Sequence, residues 1–141
     1  MDIKSFDGNY RWLSNFYECS VEINGKEFNS AEHAYQAHKT NDPRWFDDIK
    51  NAATPGKAKR LGAKCPVRGD WDSIKVEVMK KCVRAKFSQN ADLKEKLLAT
   101  DGYLEEGNNW GDKFWGTNDG IGYNMLGKIL MEIRAELRNQ Q

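Results

Sequence analysis

Glu32, Gln36 and Lys39 stand at i, i+4 and i+7 of one short stretch, residues 29–40, which reads NSAEHAYQAHKT. In a helix of 3.6 residues per turn they share a face, setting a carboxylate, an amide and an ammonium in a row. Ala31, Ala34, Tyr35 and His38 form the neighbouring, mostly apolar stripe, which is suited to packing. A surface ion pair ordinarily places opposite charges at i, i+4. Here Glu32 and Lys39 are two turns apart with Gln36 between them. The row is therefore either a solvated face or a working one.

Other chemistries fail on residue supply. His33 and His38 are five apart, so their imidazoles diverge around a helix and neither meets a plausible serine or cysteine nucleophile. The pair also lacks the His-Glu-x-x-His register of a zinc helix, and no metal site is expected. Carboxylates are left as the natural catalysts, with Glu32 and one of Asp112 or Asp119 as candidates. Flanked by tryptophan, amide and lysine side chains, they suit a substrate made of base, sugar and phosphate. A base stacks on an indole, a sugar hydrogen-bonds to carboxylate and amide, and a phosphate takes lysine. Breaking a bond from an anomeric carbon to nitrogen passes through an oxocarbenium-like state, which a nearby carboxylate stabilises while it handles a proton.

The elements that must position these groups can be read in order. Phe6-Asp7-Gly8-Asn9 is a turn signal, and Trp12 to Tyr17 has no helical period. That aperiodic piece is either a loop pinned to the core by its aromatics or a pocket wall where Asn15 offers donor and acceptor. Alternation on both sides of Asn24-Gly25 predicts a β-hairpin over residues 21–28, delivering Ser30 as helix N-cap. Asp42-Pro43 starts a helix over 43–52, and Thr54-Pro55 starts a basic one that stops at Gly62. Asp70 is expected to cap a long, central and largely buried helix over 71–87, with Trp71 and Lys75 sharing a face. A helix over 90–100 turns Leu93, Leu97 and Leu98 inward, and residues 103–106 read as a short strand. Residues 107–127 hold six of the twelve glycines with two tryptophans, two aspartates and four asparagines. Such a loop, too glycine-rich for a helix and too irregular for a strand, is functional or disordered, and its aromatics argue against disorder. Leu126, Ile129, Leu130, Ile133 and Leu137 predict a closing amphipathic helix.

Composition sets the bounds. One domain over 1–141 fits the length, and a net charge of +1 gives no global field for duplex DNA or a membrane surface. No apolar run approaches a membrane span and no signal-peptide core opens the chain, so a cytoplasmic location is expected. Cys19, Cys65 and Cys82 are odd in number and widely spaced, consistent with reduced thiols.

Several pieces resemble the NADAR (YbiA-like) family when taken in this order: Leu13-Ser14-Asn15-Phe16, Ser30-Ala31-Glu32-His33-Ala34-Tyr35-Gln36-Ala37-His38-Lys39, Trp71 with Lys75, Arg84-Ala85-Lys86-Phe87, Asp112-Lys113-Phe114-Trp115-Gly116, and Asn124-Met125-Leu126-Gly127. The likeness covers almost the whole chain. It implies an α+β, predominantly helical single domain with a small N-terminal β-hairpin. It also implies N-glycosidase activity on phosphoribosylated pyrimidine intermediates of riboflavin synthesis or on ADP-ribosylated guanine. The family's catalytic glutamate matches Glu32, its functional tryptophan Trp71 and its loop aspartate Asp112. The expected site is thus Glu32 and Asp112 as catalytic groups, with Asn15, Phe16, Gln36, Lys39, Trp71, Lys75, Trp115, Gly116 and Asn124 binding substrate. Within it Lys39 and Lys75 would hold phosphate, and Asn15, Gln36 and Asn124 would orient ribose hydroxyls. Trp71 also has a purely core reading at the start of a buried helix. His38 stands where glutamine is common in the family, and the insert around Trp110 and Asp119 loosens the loop match. No cofactor and no obligate protein partner is implied. The expected partner is a small nucleotide-sugar substrate or an ADP-ribosylated nucleic acid. A non-catalytic ADP-ribose or nucleotide-binding module is the competing class, disfavoured because a reader has little need of two carboxylates.

Overall fold

A computed structural model describes all 141 residues. The chain organises into two compact units, Asn15–Asn90 and Met1–Ser14 with Ala91–Gln141. No helix is long and apolar enough to cross a membrane.

The Asn15–Asn90 unit begins with an antiparallel hairpin, β1 (Glu18–Ile23) and β2 (Lys26–Ser30). Asn24 and Gly25 both take positive φ, 53° and 80°, the paired left-handed geometry of a type I′ turn. Side chains alternate faces, so Val21, Ile23 and Phe28 are buried while Glu22 and Glu27 face water. Four helices follow: α1 (Ala31–Ala37), α2 (Pro43–Lys50), α3 (Pro55–Gly62) and α4 (Trp71–Gln89). The first three begin as their sequences predict. Ser30 Oγ accepts from the His33 amide, Asp42 Oδ1 from the Arg44 and Trp45 amides, and Thr54 Oγ1 from the Lys57 amide.

Asp70 departs from expectation. It stands at the N-cap of α4, but its side chain makes no cap bond and is gripped by Arg68 at 2.6 and 3.2 Å. The guanidinium lies two residues away and competes successfully for the carboxylate. Helix α4 is also buried less evenly than expected. Beyond Trp71, its core is supplied by Met79, Cys82, Val83, Ala85, Lys86 and Phe87, while Ile74, Val76 and Val78 are half-buried. Lys86 is fully buried, with Nζ 5.7 Å from the Tyr17 ring centroid and 5.0 Å from that of Phe87.

The second unit holds a 3-10 helix (Gly8–Leu13) where sequence suggests only a turn and a loop. It also holds α5 (Ala91–Leu98), a two-residue parallel ladder of β3 (Gly107–Asn108) with β4 (Thr117–Asn118), and α6 (Met125–Asn139). Leu93 and Leu97 of α5, with Leu126, Ile129, Leu130, Ile133 and Leu137 of α6, are buried as their spacing requires, and Leu98 is half-buried. The strand expected over 103–106 is only a bridge between Leu104 and Ile3. Conversely, the glycine-rich stretch contains the β3–β4 ladder, which its composition hides.

Burial drives the Lys86 ammonium down to about 7 from the 10.5 of a free lysine. Between those values the unfolded chain holds a proton that the folded chain has lost, so stability rises with pH across that window. The melting temperature of the parent should therefore climb between about pH 7 and pH 10. Lys86→Met should lack that slope and be more stable near pH 7 by about 1–2 kcal/mol, as when a buried charge gives way to an apolar isostere. Thermal melts of both proteins across the pH range measure this.

Candidate functional site

Helix α1 is where the candidate chemistry concentrates, and its burial decides between the two readings of that row. All seven of its residues are buried, with Glu32 at 7% exposure and Gln36 at 6%. A solvated polar face is therefore ruled out. The helix is also shorter than its pattern, for His38 is already the C-cap and Lys39 lies beyond the last turn.

Local chemistry fixes the start of α1. The His33 Nε2–H donates to the Ala52 carbonyl at 2.9 Å, which leaves Nδ1 to accept from the Ser30 hydroxyl at 2.7 Å. That hydroxyl in turn accepts from the His33 amide, so cap and imidazole lock one another. The Glu32 amide donates to the Asn15 carbonyl at 3.0 Å, and the Asn15 Nδ2 donates to Met79 Sδ at 3.2 Å. Asn15 is thereby tied through its backbone to α1 and through its side chain to α4.

Within this frame the Gln36 Nε2 donates to Glu32 Oε2 at 2.7 Å. A charge-assisted bond of this kind stabilises the ionised carboxylate. Cys82 feels the same carboxylate. Burial pushes its thiol well above the usual range and the Glu32 charge adds in the same direction, so this cysteine is a poor nucleophile.

Trp71 is buried at the first position of α4, its ring 5.1 Å from that of Tyr35 and tilted by 52°. Tyr35 sits one turn along α1 from Glu32, so the indole is anchored on the helix that carries the carboxylate. Lys75 Nζ lies 3.7 Å from exposed Asp72, a contact that solvent screens. The Lys39 carbonyl accepts from the Arg68 amide at 2.8 Å, which fixes the turn carrying its ammonium. Phe16 is exposed, with Lys59 Nζ 5.8 Å from its centroid. His38 is a packing residue: its Nδ1–H donates to the Ala34 carbonyl, its ring lies against Phe28 and Phe46, and burial lowers its pKa.

The remaining predicted residues belong to the second unit. Asp112 Oδ1 accepts from the amides of Phe114 and Trp115, both at 3.0 Å, folding the loop around itself. Asn108 straps that turn, donating to the Asp112 carbonyl and accepting from its amide. Trp115 packs edge-on against Phe114. Gly116 is required by space, because a β-carbon there would lie 2.1 Å from the Glu106 carbonyl oxygen. Asn124 takes φ 53° and uses both amide protons on the Tyr103 hydroxyl and Leu104 carbonyl, while its oxygen accepts from the Glu106 amide. Asp119 lines a cleft of about 340 Å³ with Lys4, Asp7, Glu105 and Trp110. No three His, Cys, Asp or Glu side chains converge to hold a metal ion.

Sequence reasoning missed Met79 and Tyr35 as partners of Asn15 and Trp71, because both read as ordinary core residues.

The family model for the NADAR domain matches residues 3–138. N-glycosidase YbiA of Escherichia coli (strain K12) is 37% identical over 136 residues, 94% of this chain and 85% of that protein. An N-glycosidase of Nostoc punctiforme is 39% identical, covering 92% of this chain and 87% of the relative. A riboflavin biosynthesis protein of Vibrio vulnificus is 44% identical over 94% of this chain, which spans only 37% of that longer protein. The NMR structure of E. coli YbiA superposes with a TM-score of 0.88 at 36% identity, covering 99% of this chain and 85% of that one. The fold is thus YbiA-like, and the chain belongs to the NADAR family. Its enzyme class is that of the N-glycosyl hydrolases.

Asp112 can be tested for structure against chemistry. Asp112→Asn keeps an oxygen for both amides and should melt within about 2 °C of the parent, whereas Asp112→Ala should lose about 1–2 kcal/mol. If turnover falls in the asparagine variant while its melting temperature holds, the carboxylate acts on substrate as well as on its loop.

Proposed function

We propose that this chain hydrolyses the N-glycosidic bond of a phosphoribosyl or ADP-ribosyl conjugate, with the Glu32 carboxylate as the central group. The observation that carries the proposal is a carboxylate at 7% exposure, hydrogen-bonded by Gln36, on a helix that also anchors the Trp71 indole through Tyr35. Burial in a poorly hydrated site makes a negative charge worth more to a developing cation than it is in water. In the reaction the anomeric carbon–nitrogen bond breaks and the base leaves with the bonding pair. The carbon then gains positive character opposite Glu32. Water adds its oxygen to that carbon and its proton passes to Glu32, which gives up a proton in turn for the departing nitrogen, so the hydroxyl ends on the sugar and the hydrogen on the base.

The other residues take supporting roles. Trp71 stacks on the base or sugar, and Lys39 and Lys75 neutralise phosphate. Asn15 and Phe16 line the approach to Glu32, while Gln36 holds the carboxylate in its ionised form. Asp112 assists proton transfer, and Trp115, Gly116 and Asn124 form the loop that carries it. The names of the Vibrio relative and of a chloroplastic riboflavin biosynthesis protein of Zea mays, 37% identical, favour a phosphoribosylated pyrimidine as substrate. ADP-ribosylated guanine, free or in a single strand, presents the same sugar–base linkage.

Both conjugates should be incubated with the protein and the released base and sugar phosphate measured. Hydrolysis of one of them supports the proposal, and a stable complex without release marks a binding module instead. Glu32→Gln should lower turnover by about 10²–10⁴-fold, the range for a positioned acid–base group. A glutamine variant working at the parent rate would remove Glu32 from the reaction. Trp71→Ala should raise KM by about tenfold if the indole stacks on substrate, as one base–aromatic stack contributes. An unchanged KM with a lower melting temperature would assign Trp71 to the core alone.

A further inference from the structure

Gly62 is a glycine without a backbone reason to be one. It lies within α3, its φ is not positive, and alanine would be the better helix former there. What surrounds it explains the choice. The three heavy atoms nearest to a β-carbon built at Gly62 all belong to Gln36: Oε1 at 1.9 Å, Cδ at 2.8 Å and Cβ at 3.2 Å. No real β-carbon tolerates the first of these, so the Gln36 amide occupies the place where a side chain at 62 would be. That amide is the group whose Nε2 holds Glu32 Oε2 at 2.7 Å. Its own oxygen, turned against Gly62, is buried without a hydrogen-bond partner. A buried amide accepts such a loss only where its other end is fixed, and here the carboxylate dictates which end faces it.

We propose that Gly62 is a positioning residue for the reaction: the empty space at its α-carbon seats the Gln36 amide, and through it sets the orientation and ionisation of the Glu32 carboxylate. The inference rests on the catalytic reading of Glu32 given above. It adds that α3, none of whose residues is assigned a role on substrate above, determines how that carboxylate is held. The two most obstructed atoms, Oε1 and Cδ, are the far end of a flexible side chain, and Cβ at 3.2 Å needs to give by only a few tenths of an ångström. An alanine at 62 therefore swings the amide away from Glu32 rather than breaking the helix contact. A carboxylate that loses a hydrogen-bond donor ionises less readily.

The test compares Gly62→Ala with Gly56→Ala, a substitution in the same helix where the nearest atoms are 3.7 and 4.0 Å away. Titration of the Glu32 carboxyl by carbon-13 NMR should show its midpoint raised by about one pH unit in Gly62→Ala, the effect of losing one bond to a charged group. The Gly56→Ala protein should titrate like the parent. Gln36→Leu should reproduce the shift, and adding Gly62→Ala to it should move the midpoint no further, because both changes remove the same bond. With substrate, Gly62→Ala should lower kcat about tenfold with KM unchanged and move the acid limb of the kcat profile upward by the same unit. A folded Gly62→Ala protein whose Glu32 titrates at the parent midpoint overturns the proposal. A shifted midpoint with undiminished turnover upholds the Gly62–Gln36–Glu32 linkage and overturns the catalytic role of Glu32. If Gly62→Ala does not fold, the double variant Gly62→Ala/Gln36→Ala clears the obstruction and should fold with the raised midpoint. Failure of that protein to fold also overturns the proposal.

Discussion

A carboxylate taken out of water is the constraint on which the Asn15–Asn90 unit depends. Moving such a charge into a protein interior costs several kcal/mol even after relaxation, so its neighbours must be polar and fixed. At Glu32 the Gln36 amide donates to the carboxylate itself, and the Asn15 carbonyl fixes the backbone that carries it. The helix carrying it is buried on every side and only seven residues long. An isolated helix of that length would not form in water, so the hairpin before it and the helices around it hold it in shape.

The same economy appears at the start of α1. The imidazole of His33, which the sequence already sets aside as a catalyst, has both of its nitrogens committed to Ser30 and Ala52. The result is a helix start that cannot rotate without breaking several bonds at once. Rigidity of this kind matters to a glycosidic reaction, because a charge stabilises a transient cation only if it need not reorganise as the cation appears.

In the second unit polar side chains serve the backbone. Asp112, Asn108 and Asn124 between them satisfy amides and carbonyls of a stretch with almost no regular ladder. Glycines 116 and 127 sit where backbone oxygens approach to about 2.1 Å of any added β-carbon, so the loop is compact as well as ordered. Substrate binding by Asp112 would therefore be added to a structural task, one that also explains why an aspartate and not a longer glutamate stands there. Its short side chain reaches amides two and three residues on.

The sequence by itself determined the elements whose signals are local. The hairpin follows from alternation around Asn24-Gly25, α1 to α3 from their caps, and α5 and α6 from leucine and isoleucine spacing. It also singled out Glu32 and Gln36 as neighbours on one face, since i, i+4 proximity is a property of any helix. Only the tertiary structure decided the rest. It showed that Glu32 and Gln36 are buried rather than wet, that Asp70 goes to Arg68, that Lys86 is enclosed, and that a ladder lies hidden in the glycine-rich stretch. It alone showed that the Gln36 side chain fills the space a side chain at 62 would take. These facts depend on which surfaces meet across tens of residues, and periodicity along one element carries no information about what packs against it.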